Sequence, residues 1–132
     1  MIVIRNWRDT DPTLAHKSGL DWRLLSTATK TSGDIDAEVE PEYRVLKAIT
    51  YVSLARLQRS LSYEPHSHRD HEEVYYIIRG IGKIKIGNEE ARFRDGDIIY
   101  IPENTTHSIT NDGEEVVDFL AFGGFTGKHN NI

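Results

Sequence analysis

The sequence predicts an all-β fold, a sandwich or barrel of short strands, and three observations point there. Short runs rich in β-branched and aromatic residues recur, with turn signals roughly every 8–12 residues. Glycine, proline, asparagine and aspartate cluster between those runs. No long segment carries helical periodicity, and neither a solenoid repeat nor a linker to a second domain is visible.

The elements follow in order. Residues 1–30 read as short strands joined by turns; residues 9–12 mark a turn or a helix start, and residues 21–27 read as an edge strand. Residues 31–42 read as a loop, with acidic side chains at 34, 36, 38, 40 and 42 facing water. From Val45 the pattern is β. Residues 49–61 are rich in β-branched and apolar types, and the continuous apolar run 74–78 suits a strand buried on both faces. Residues 83–86 and 91–94 alternate cleanly around Gly87-Asn88, a tight hairpin turn. Residues 95–97 turn into the apolar strand 98–101, Pro102-Glu103-Asn104 breaks it, and residues 106–110 and 116–122 resume. The tail 123–132 is expected to be mobile at its end. Residues 1–44 thus read as N-terminal strands and an acidic loop packed on a barrel of residues 45–132, one domain overall.

Composition narrows the function. The 132 residues carry 21 acidic against 16 basic side chains, a net charge of -5, and no Lys/Arg run, which argues against nucleic acid or an anionic membrane as partner. There is no cysteine, so any metal must be held by nitrogen and oxygen. The N-terminus turns polar after Met1-Ile2-Val3-Ile4, and no apolar stretch approaches the roughly 20 residues of a membrane span. A cytoplasmic protein is the expectation.

The chemistry-bearing residues fall in two blocks, His66 to Gly80 and Gly96 to Asn111. Imidazole and carboxylate are the ligand set of a divalent transition ion. On a strand, His66 and His68 point to one face and can grip one ion. Glu73 and His107 would complete three histidines and a carboxylate if the fold brings them there. His71 reads as a solvated loop histidine, and His16 and His129 as surface residues.

Together the blocks resemble the cupin superfamily, whose motifs are G-x5-H-x-H-x3,4-E-x6-G and G-x5-P-x-G-x2-H-x3-N. His66, His68, Glu73 and Gly80 meet the first; Gly96, Pro102, His107 and Asn111 meet the second. Ser60 and Asn104 stand where the family has glycine, both at turn positions; asparagine tolerates a left-handed backbone better than most residues. Spacing to Gly80 selects Glu73 over Glu72 as the carboxylate. The motifs cover residues 60–111, and the strand pattern extends the resemblance to about 45–123.

The resemblance implies a small single-domain cupin, a double-stranded β-helix or jelly-roll barrel with extra N-terminal strands. It implies one divalent metal per chain (Fe, Mn, Ni or Zn) on His66, His68, Glu73 and His107, with about two positions left open for a small ligand. His66 and His68 would project from one strand, Glu73 from its hairpin partner and His107 from a later strand. Tyr75 is the candidate catalytic group. Ile77 shares strand parity with Glu73, and Ile109 with His107; with Arg56 and Gln58 on the preceding strand they are candidate substrate contacts. The alternative places the tyrosine in the core and Arg56 at the surface.

The expected function is a metal-dependent enzyme, dioxygenase or other oxidoreductase, acting on a small polar molecule. A cupin isomerase or lyase, or a non-catalytic module for a sugar or carboxylate, are the competing expectations. A homodimer is expected, with the N-terminal strands adding to a partner's sheet.

Overall fold

The structure is a computed structural model and describes residues 1–28 and 38–127. The expectations for residues 29–37 and 128–132, including Asp34, Asp36, His129 and the mobile tail, lie outside the described residues.

Among the described residues, nine strands build two facing antiparallel sheets. The larger contains β1 (Thr13–Ala15), β2 (Gly19–Ser26), β3 (Ile49–Leu57), β4 (His71–Arg79), β7 (Ile98–Ile101) and β9 (Val117–Phe125), in the order β1-β2-β3-β9-β4-β7. The smaller contains β5 (Gly82–Ile86), β6 (Glu89–Phe93) and β8 (His107–Thr110), in the order β6-β5-β8. The arrangement is jelly-roll-like, and among the described residues it does not close into a continuous barrel. Gly87, at φ 59, and Asn88 join β5 to β6 in the expected two-residue turn.

Two strand expectations need correcting. Residues 21–27 were expected at an edge; β2 lies inside the sheet, because the three-residue β1 pairs along its outer side and takes the edge. The run 74–78 was expected to be buried on both faces. Only one face is: Tyr75 and Ile77 are buried, whereas Tyr76 and Ile78 are exposed. The smaller sheet covers the inner face of β4, and no described segment covers its outer face. The turn or helix start expected at residues 9–12 follows directly on a short 3-10 turn, Trp7–Asp9, capped by the Asn6 side chain.

The core fills the space between the sheets. Leu57, Ile77, Ile101, Ile109, Val117 and Phe119 are almost fully buried there. Along β4 the inward series runs Ile77, Tyr75, Glu73, so the interior passes from apolar to polar along one strand. That gradient positions the site.

The motif's turn residues act as their backbone angles require. Gly80 and Gly96 have φ of 108 and 88. Ser60 and Asn104, standing in for glycine, also adopt the left-handed region, at 68 and 55. Asn111 is fully buried: its amide donates to the Leu57 and Glu115 carbonyls at 3.0 and 2.8 Å, and its side-chain oxygen accepts from the Gly113 N–H at 3.0 Å.

Candidate metal centre

His66 and His107 face each other across an isolated antiparallel bridge. The His66 N–H donates to the His107 carbonyl at 3.0 Å, and the His107 N–H donates back at 2.8 Å. His68 follows two residues on. The chain then turns at Arg69-Asp70 and crosses to the opposite sheet, where β4 delivers Glu73. This corrects the expected arrangement: His66 and His68 lie in an extended segment beside β8 rather than in a regular strand, and Glu73 is not on its hairpin partner. The donors therefore come from both sheets.

Asn104 holds that crossing. Its side-chain oxygen accepts from the Asp70 N–H at 2.9 Å, its amide donates to the Asp70 carboxylate at 3.2 Å, and its own N–H donates to the His68 carbonyl at 3.0 Å. Asp70 itself sits at φ 51, and the asparagine bonds fasten this strained turn.

One ligand atom from each of His66, His68, Glu73 and His107 lies within 4.8 Å of every other. Two of the rings have a defined tautomer. His66 Nδ1 is 2.7 Å from the Glu64 carbonyl and His107 Nδ1 is 3.0 Å from the Thr105 carbonyl. A carbonyl only accepts, so each Nδ1 carries the proton and each Nε2 presents a lone pair. Both Nε2 atoms are buried with no hydrogen-bond partner among the described residues, and Glu73 Oε1 makes no hydrogen bond of acceptable angle among them. That oxygen nonetheless lies 2.7 Å from His68 Nε2 and 3.5 Å from His107 Nε2. An anionic oxygen that close to an imidazole nitrogen requires a hydrogen or a metal ion between them.

The electrostatics agree. Burial pushes the Glu73 carboxyl up, but His107, His68 and the Tyr51 hydroxyl, which donates to Oε2, outweigh it and hold the group well below the usual carboxylate range. Burial, with the neighbouring imidazoles, lowers His66 and keeps it neutral, against the opposing pull of the Glu64 carbonyl. An ionised carboxylate and neutral, Nδ1-protonated imidazoles are the forms that bind a divalent transition ion, and their partnered Nδ1–H groups are the usual outer support of such ligands.

Beside this cluster lies a cavity of about 30 Å³, lined by His68, Glu73 and Tyr75 and by Asp21, Tyr51 and Tyr63 among others. Tyr75 is thus placed at the cavity. Ile77 and Ile109 share the inner face but sit deeper, in the apolar core, and do not line it. Arg56 and Gln58 do not line it either. Strand parity turns Tyr51 and Ala55 inward, so Arg56 points to the outer face, where it pairs with Asp118 at 2.7 and 3.2 Å. Glu72 also faces outward and accepts from the Tyr100 hydroxyl at 2.9 Å.

Several cavity residues carry no sequence signal. His71, expected in solvent, is buried at the start of β4, with Nε2 2.6 Å from the Thr50 hydroxyl. His16, expected at the surface, stacks on the His66 ring at 3.8 Å and lines the cavity. Asp21 and Arg23 arrive from β2. Only the long-range pairings Asp21 to Ala55 and Arg23 to Ser53 bring them there.

A jelly-roll-like sandwich with three imidazoles and a carboxylate converging inside it defines a class: a β protein whose interior carries a cluster that could hold a metal ion, beside a small cavity. Residues 54–123 match the Cupin domain family, and the chain belongs to it. It is similar to an acireductone dioxygenase from Bacillus mycoides, 33% identical over 110 residues that cover 75% of this chain and 62% of that protein. It is also similar to an oxalate-binding protein from Thermotoga maritima, 32% identical over 56 residues, 42% of this chain and 46% of the relative. The chain thus matches less than two thirds of the length of these curated relatives. Among solved structures, a predicted oxalate decarboxylase from Thermotoga maritima superposes with a TM-score of 0.72 at 22% identity, covering 94% of this chain and 99% of that one. A cupin 2 conserved barrel domain protein from Salinispora arenicola superposes with a TM-score of 0.70 at 16% identity, over 98% and 92% of the two chains. At these identities the structural likeness concerns the fold.

Proposed function

We propose that this chain is a metal-dependent enzyme, of dioxygenase or other oxidoreductase type, acting on a small oxygen-rich molecule at an ion held by His66, His68, Glu73 and His107. The observation that carries this reading is the convergence of four potential donor atoms beside a cavity that His68 and Glu73 line. The likeness to a protein named acireductone dioxygenase supports it. Bound there, a divalent ion supplies Lewis-acid or redox chemistry. The chain's own part is to hold the donors in one protonation state, to exclude bulk water with Tyr51, Tyr75 and Phe119, and to orient the ligand. Oxygen-consumption and lyase assays with the Fe-, Mn- and Ni-loaded protein against a panel of small hydroxy and keto acids test it; no turnover with any metal counts against it.

A second reading has its own support. The likeness to a protein named oxalate-binding protein favours a non-catalytic module that holds a metal with a small acid. Turnover of any substrate eliminates it as the sole role. As part of the same proposal the protein works in the cytoplasm as a homodimer. The exposed apolar side chains of Tyr76, Ile78, Ile98 and Tyr100 on the outer face of β4 and β7 support self-association. Among the described residues no helix is long and apolar enough to cross a membrane.

A further inference from the structure

Asp21 and Tyr63 are polar groups inside the cavity that the metal cluster does not use. Each is 3% exposed. The Ser53 hydroxyl donates to the Asp21 carboxylate, but among the described residues neither Asp21 Oδ1 nor the Tyr63 hydroxyl has a hydrogen-bond partner. Both line the cavity with His68 and Glu73. The tyrosine ring is fitted into its place: a Cβ on Gly19 would stand 2.3 Å from its Cε1. An unsatisfied buried acceptor and an unsatisfied buried hydroxyl both weaken a fold, so two of them around one cavity point to an absent ligand that supplies the missing partners.

We propose that Asp21 and Tyr63 form the ligand-selecting wall of the metal site, and that the ligand is a small hydroxy acid, bound as a monoanion. The inference rests on the metal reading above and names its substrate class. Asp21 Oδ1 accepts, so the ligand must offer a hydroxyl or other donor; a simple dicarboxylate at neutral pH offers none. The Tyr63 hydroxyl donates to a ligand oxygen. Charge makes the same choice. A divalent ion with Glu73, Asp21 and the cavity-lining Arg23 leaves one net positive charge, which a monoanion neutralises and a dianion overshoots. The cavity has room for only a few heavy atoms, about two water-sized groups before side chains move.

The test is calorimetric titration of the metal-loaded full chain with glycolate and with oxalate, beside the near-isosteric variants Asp21→Asn and Tyr63→Phe. Metal content and melting temperature are measured on every sample. In the wild type glycolate binds more tightly than oxalate. Each variant loses about tenfold or more in glycolate affinity, the expected size for a lost buried hydrogen bond. Asp21→Asn leaves oxalate affinity unchanged or raises it, since a negative charge is gone. Metal content stays at wild-type level and melting temperature does not fall, whereas a carboxylate with a purely structural role would lower it. Metal present with glycolate affinity insensitive to both substitutions, or with oxalate preferred by the wild type, overturns the inference alone. A wild type that takes up no metal overturns the metal reading, and this inference with it.

Discussion

Two stretches of chain meet at the same cavity in unlike ways. The segment from Ser60 to Asn111 brings His66, His68, Glu73 and His107, all at spacings that mark them in the sequence. Strand β2 brings Asp21 and Arg23, and nothing near them in the sequence marks them. In the first set a two-residue step and one tight crossing turn place His66, His68 and Glu73, and a long-range backbone bridge to His66 adds His107. The second set depends on the pairing of β2 with β3, whose partners Ala55 and Ser53 lie about thirty residues or more further along the chain. Spacing therefore reports the candidate ligand cluster well and reports its surroundings poorly.

The largest expected effect breaks the local half of this comparison. Asn111→Ala removes three hydrogen bonds from a fully buried side chain, stranding the Leu57 and Glu115 carbonyls and the Gly113 N–H. Denaturant unfolding should show a loss of about 3 kcal/mol or more. A loss below about 1 kcal/mol would mean that the motif asparagine is not the clamp described.

The next effect has the opposite sign and lies on β2. Burial, outweighing the nearby Arg23, pushes the Asp21 carboxyl up from 3.8 to about 6. The fold thus favours its protonated form. Its contribution to stability is present below pH 3.8 and lost as pH rises through about 6, leaving an ionised cost on the order of 3 kcal/mol at pH 8. Asp21→Asn should therefore melt several degrees above the wild type at pH 8, with the difference shrinking towards zero near pH 4. A variant less stable at pH 8 would contradict the unpaired carboxylate.

Smaller again is Asn104→Gly. Glycine accepts φ 55 but gives up both side-chain bonds to Asp70. Stability should fall by about 1 kcal/mol, and metal affinity should weaken, because the same turn sets where His68 stands. An unchanged metal affinity in a competition titration would separate the turn from the site. The smallest effect on the folded monomer should come from Ile98→Lys on the outer face, within about 0.5 kcal/mol. If the wild type is the proposed dimer by light scattering, this variant should be monomeric; an unchanged dimer would move the interface elsewhere.

The strands from β3 to β9 were legible because alternation and turn residues are local. Lys83 to Ile86 and Ala91 to Phe93 alternate about Gly87-Asn88, and the hairpin lies there. The run 74–78 misled, because a continuous apolar run looks the same whether its outer half faces a covering sheet or an open surface. The cluster of His66, His68, Glu73 and His107 was legible from its spacing. The sequence leaves Arg56 between cavity and surface for want of one register: its neighbour Ala55 points inward, and the Arg56 side chain turns to Asp118. His16 and His71 were missed for a related reason, since a lone histidine carries no spacing, and the stack on His66 and the Thr50 contact exist only in the folded chain.

The central claim is that the four donors form one metal centre. Metal analysis by mass spectrometry of the protein purified without an affinity tag, beside His107→Ala, tests it most directly. The account predicts about one divalent transition ion per chain in the wild type, falling to a small fraction in the variant, since the lost Nε2 is one of four donor atoms. Metal retained at full occupancy in His107→Ala, or absent from both proteins after exposure to Fe, Mn, Ni and Zn, would contradict it.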